Sequence, residues 1–80
     1  MKTVWTLNKL DEELNRFDYE IFKNKEGAID AMNRRKEVKL KNHFTVYYEN
    51  GQMVTLIPEE YDEHLVNYTY KMWINEQVVH

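Results

Sequence analysis

Asp, Glu, His, Tyr and Lys are the side chains with realistic catalytic chemistry in this sequence, because it contains no serine and no cysteine. Those groups move protons. Triad hydrolysis and thiol chemistry need a hydroxyl or thiolate nucleophile of the missing types, so both drop out. Gly27 and Gly51 are the two glycines, too few and too far apart for a glycine-rich loop around a phosphate or dinucleotide. His43, His64 and His80 show neither HxH nor HxxxH spacing, so no metal site is expected. The one local cluster is His64 beside Asp62 and Glu63. The expectation is a protein that is not an enzyme and carries no metal and no cofactor.

Binding chemistry is better represented. Glu59, Glu60, Asp62 and Glu63 form an acidic segment that reads either as solvated charge at a helix start or as a surface occupying a basic groove on a partner. Arg34, Arg35, Lys36, Lys39 and Lys41 form a basic one, suited either to the last turns of a helix or to phosphate contacts. Tyr47, Tyr68, Tyr70 and Trp73 could stack on bases from an open sheet face, or serve as core and sheet cover. An acidic pI near 5.6 argues against a dedicated nucleic-acid binder.

The elements that must position these groups follow from periodicity. Lys2–Leu7 reads as a strand, and Arg16–Phe22 alternates Phe17, Tyr19 and Ile21 against Asp18 and Glu20. The polar stretch between them reads as a long hairpin loop, with a helical turn as its rival. Asn24 is an N-cap candidate, so a helix of three to four turns starts near Lys25, with Ala28, Ile29 and Met32 as its buried stripe.

Phe44 to Ile57 contains Asn50-Gly51 between two alternating runs, the dipeptide suited to a type I′ hairpin turn with positive φ at both central residues. That register puts Tyr48 opposite Met53 and Val46 opposite Thr55. Phe44, Val46, Tyr48, Met53, Thr55 and Ile57 become the core face, and Tyr47, Val54 and Leu56 lie outside. Pro58-Glu59-Glu60 marks a helical turn running to about Val66. A strand then runs from about Tyr68 to Ile74, and Asn75-Glu76 turns the chain so that Gln77 to Val79 pairs back.

The fold class is therefore α+β: a mainly antiparallel sheet in β-β-α-β-β-α-β order, with one amphipathic helix packed on it and a central Asn-Gly hairpin. With 80 residues and no linker composition, residues 1–80 read as a single compact domain. Residues 1–42 hold ten Lys/Arg against eight Asp/Glu, whereas residues 43–80 hold one lysine against six acids, which makes the molecule bipolar. No apolar run suits a signal peptide or membrane span, and the absence of cysteine fits a reducing compartment, so the expected location is the cytoplasm, without membrane contact.

A strand, a loop, a second strand ending in Ile21-Phe22-Lys23-Asn24-Lys25-Glu26-Gly27-Ala28-Ile29-Asp30-Ala31-Met32 and then an Asn-Gly hairpin resembles small hypothetical proteins of Firmicute phages and prophages. The resemblance implies a host-cell cytoplasmic protein that acts by binding: a host-takeover factor, a transcription modulator, or an inhibitor of bacterial defence such as an anti-CRISPR protein. It assigns no functional residue.

The functional expectation is a non-enzymatic protein that occupies a macromolecular partner's surface, with a homodimer as a further partner state. Tyr47, Val54, Leu56 and Trp73 are the candidate contacts, together with acidic Glu59, Glu60, Asp62 and Glu63. The alternative is a nucleic-acid-binding regulator using residues Arg34, Arg35, Lys36, Lys39 and Lys41.

Overall fold

Alternation at Arg16–Phe22 and an Asn cap at position 24 set the first half of the chain. The computed structural model describes residues 2–60 and 69–79. Its elements are β1 (Lys2–Asp11), β2 (Arg16–Phe22), α1 (Lys25–Lys41), β3 (Phe44–Asn50), β4 (Met53–Pro58) and β5 (Tyr70–Val79). The strands form one antiparallel sheet in the order β2-β1-β5-β4-β3.

β1 runs four residues past the expected end at Leu7, because its polar residues find partners within the sheet. Asn8 donates to the Trp73 carbonyl at 3.4 Å, and Lys9 donates to Glu20 at 2.9 Å. The loop to β2 shrinks to Glu12–Asn15. Asp11 accepts from the Leu14 N–H at 3.2 Å, and Asn15 takes φ 49°, a left-handed conformation that Asn tolerates.

α1 begins where the cap chemistry requires. The Asn24 carboxamide oxygen accepts from the Gly27 N–H at 2.8 Å, Glu26 occupies the first turn, and Lys39 and Lys41 occupy the last. At the other end the Asn42 N–H donates to the Lys39 carbonyl at 3.0 Å, and His43 exits at φ 68°. The helix is 17 residues long, longer than expected. Asn24→Ala removes the partner of the Gly27 N–H and should cost about 1 kcal/mol, a drop of roughly 4–8 °C in Tm by thermal circular dichroism.

The helix buries Ala28 and Met32 against Leu7, Val54, Leu56, Tyr70, Met72 and Ile74, with Trp5, Phe22, Ile29 and Phe44 at the margin. Strand parity shows that this core occupies one face of the sheet. Leu7 pairs with Ile74, Met72 with Val54, and Tyr70 with Leu56.

Three expectations are corrected. First, the hairpin closes on Asn50 opposite Met53, so Gly51-Gln52 is the turn, and neither Asn50 nor Gly51 has positive φ. Asn50 instead folds the chain with its side chain, accepting from the Gln52 N–H at 2.8 Å. Ile74 then donates to the Gln52 carbonyl at 3.0 Å, tying the turn to β5. Second, β5 runs unbroken through Asn75-Glu76, because those residues pair with Thr6 and Trp5 of β1. Third, α1 is the one helix among the described residues. Glu59 and Glu60 form a turn, and the rest of the expected helical segment lies outside the described residues, which therefore read β-β-α-β-β-β.

Candidate functional site

Val54 and Leu56 are core residues, with 1% and 0% of their surface exposed. Their expected place on an outer face is overturned by the register. β4 presents two nearly equal faces in sequence, and its pairing with Met72 and Tyr70 turns Val54 and Leu56 toward α1. A bulge at Tyr47 then divides β3. Val46 follows Leu56 to the helix side, whereas Tyr48 lies with Thr55 on the opposite side. Tyr47 itself is exposed on this edge strand, as expected.

The opposite face carries Phe17, Tyr19 and Ile21 from β2, Thr6, Asn8 and Leu10 from β1, Trp73 from β5, Met53 and Thr55 from β4, and Tyr48 from β3. Among the described residues no element packs over it, since α1 lies on the core side. Trp73, one of the expected contacts, stands at its centre. Its ring lies 6.1 Å from that of Phe17, which lies 6.4 Å from that of Tyr19, a spacing suited to mutual packing.

Beneath these rings the floor is polar and closed. Thr6, Asn8 and Thr55 are buried without help from the helix. Asn8 donates to the Thr6 hydroxyl oxygen at 3.4 Å as well as to the Trp73 carbonyl, and Thr6 donates to the Asn75 carbonyl at 3.4 Å. Tyr48 and Met53 form the far margin, where the Tyr48 hydroxyl accepts from the Asn50 side chain at 3.1 Å.

β2 is inside out. A half-buried strand normally turns its apolar residues inward and its charges to water. Here Phe17, Tyr19 and Ile21 are 55%, 56% and 61% exposed, while Asp18 and Glu20 lie on the helix side. Cations waiting there explain the inversion. Lys9, only 4% exposed, sits 2.9 Å from Glu20 and 3.5 Å from Asp18, and Arg35 reaches Glu20 at 2.6 Å. The hydrogen bond from Lys9, and after it the one from Arg35, hold the Glu20 carboxyl below its usual range.

The basic segment serves the fold itself in three of its five positions. Arg35 pairs with Glu20, Lys36 meets Glu49 at 2.6 Å, and Lys39 lies over the rings of Tyr70 and Phe44 at 4.3 and 5.0 Å. Arg34 and Lys41 are exposed on the helix, away from the open face. Of the acidic segment, Glu59 and Glu60 are exposed, and Glu59 lies 3.7 Å from His43. Asp62, Glu63 and His64 lie outside the described residues. Among the described residues no three His, Asp or Glu side chains are grouped to hold a metal ion, and no helix is long and apolar enough to cross a membrane.

Phe17, Tyr19, Ile21, Tyr48 and Met53 were not among the expected contacts. The signal that could have found them is Lys9 on β1: a lysine within a paired strand demands acids on its neighbour, and β2 supplies them on alternate positions. Comparison with family models, with curated proteins and with solved structures finds no match for this chain.

Proposed function

We propose that this is a non-enzymatic binding protein whose contact surface is the open sheet face, and that its partner is a protein. The observation that carries this reading is the inverted β2, which spends its apolar side chains on solvent and its acids on the helix layer. A contiguous exposed apolar patch at the upper end of the range found on monomers is commonly an interaction site. Tyr, Trp, Phe and Met are also the side chains enriched at the centres of interfaces.

A nucleic acid ranks second as partner. Aromatic rings favour base stacking, but phosphates need cations beside them. Of the lysines that the register places on this face, Lys71 is already 3.1 Å from Glu12 and Lys2 stands at the far end of β1, away from the rings. The resemblance to phage and prophage proteins adds a host or defence protein as the source of the partner.

Affinity capture from a bacterial lysate tests the reading. Wild-type protein should retain a protein partner that Tyr19→Asp loses, whereas charge reversal at Glu59 and Glu60, or at Arg34 and Lys41, should leave capture intact. Capture that ignores Tyr19→Asp and fails on reversal of Arg34 and Lys41 would hand the role to the basic segment.

A further inference from the structure

We propose that the occupant of the open face is a second copy of this chain, giving a two-fold dimer in which the two sheets stack face to face with both helices outward. This rests on the reading of that face as the contact surface and names its partner.

Area comes first. Phe17, Tyr19, Ile21 and Tyr48 each expose half or more of their surface, with Met53 and Trp73 between them. Together they offer on the order of 600 Å², taking aromatic side chains at roughly 200 Å² each. A standard interface buries about 600–1,000 Å² on each partner, a range whose lower part the patch reaches with Leu10 and Ile57 at its margin.

Charge comes second. An isologous interface sets every residue near its own symmetry mates, so a face of one sign repels itself. Here the charge within the apolar patch is Lys71, neutralised by Glu12 at 3.1 Å, and the register places Lys2 on the same side at the far end of β1, beyond the end of β2. Two such faces meet without like-charge conflict, and the floor hydroxyls and amide of Thr6, Asn8 and Thr55 already have partners or lie below contact level. Sheets that stack this way lie about 10 Å apart with interleaved side chains, and the half-exposed rings fill such a gap.

The rival route, joining sheets edge to edge, is disfavoured at the two outer strands, β2 and β3. Antiparallel β2–β2 pairing about Tyr19 sets Asp18 of one copy opposite Glu20 of the other, which is destabilising. The other edge, β3, carries the bulge at Tyr47, a device that breaks pairing.

Sedimentation equilibrium over a concentration series reads the result. The wild-type chain should sediment as a dimer. Tyr19→Asp and, separately, Met53→Glu should raise the dimer dissociation constant roughly 30-fold or more, the size of a hot-spot loss. Both positions are exposed in the single chain, so circular dichroism of the variants should match wild type. A dimer that withstands Met53→Glu, which lies three strands from the β2 edge, overturns face-to-face stacking in favour of edge pairing. A wild-type monomer at all concentrations overturns the second copy as occupant. If Tyr19→Asp still abolishes lysate capture, the binding face stands with a different partner; if capture also ignores Tyr19→Asp, the face itself falls.

Discussion

Leu56→Ala should lower the unfolding free energy by about 3–4 kcal/mol, the range for emptying a fully buried leucine site. Leu56 is 0% exposed, pairs with Tyr70 across β4–β5, and packs in the cluster that holds Met32 of the helix. A domain of this size holds about 4–12 kcal/mol in all, so one truncation removes a large share. With a urea m-value of about 1 kcal/mol/M for a small domain, the midpoint moves by about 3 M. Tyr47→Ala, on the bulge of the exposed edge, should stay within about 0.5 kcal/mol of wild type. The hairpin register is what separates these two residues, which sequence alone places on the same face. Equal effects for the pair would return Leu56 to the outside.

Glu20→Gln should destabilise the protein by about 2 kcal/mol at pH 7, because it orphans a buried cation. Lys9 is 4% exposed, with Glu20 at 2.9 Å and Asp18 at 3.5 Å. Breaking a fully buried pair costs about 3–5 kcal/mol; here Asp18 stays, which reduces the loss. Lys9→Met should cost less than Glu20→Gln, since Glu20 keeps Arg35 at 2.6 Å and reaches water. Acid titration gives an independent readout. The Glu20 carboxyl titrates below its ordinary 4.5 in the folded protein, through the hydrogen bonds from Lys9 and Arg35. As pH falls below 4.5 the unfolded chain takes up the proton first, so this contribution is whole above 4.5 and disappears as pH falls through the folded value. Urea midpoints measured from pH 6 to pH 3 should therefore decline, with a shallower decline in Glu20→Gln.

Local chemistry carried far in this chain, and pairing decided the rest. Arg16–Phe22 is a strand at the expected bounds, and the Asn24 cap starts α1 at Lys25. Both depend on side chains adjacent in sequence. Face choice does not. Val54-Leu56 and Met53-Thr55-Ile57 are equally plausible inward rows, and only the neighbouring strand β5, with Met72 and Tyr70, breaks the tie. Asn75-Glu76 has turn composition, yet it stays extended because Thr6 and Trp5 lie opposite. The alternation in β2 was plain, but its direction depended on Lys9 and Arg35, one on another strand and one on the helix. The open face was hidden for the same reason. Trp73 is among the residues the sequence offers for contact and stands on that face, whereas the alternation of Phe17 and Tyr19 with Asp18 and Glu20 leaves open which row faces the helix.

The pairing of β1 with β5, which sets Lys2 opposite Val79 and Asp11 opposite Tyr70, dictates an order of events during synthesis. β1–β2 and β3–β4 are neighbours in sequence and close over short loops, so each can assemble as soon as it emerges. Joining them requires β5, which enters between β1 and β4 and is made after all the others. Contacts spanning some 60 to 77 residues carry a high loop-closure cost and slow the final step. Until that step, the inner edges of β1 and β4 stand open together with the apolar row that later meets α1. The interval before β5 arrives is thus when this chain is most exposed to mispairing, and a nascent chain stalled short of Tyr70 would hold two hairpins and a helix with no shared core.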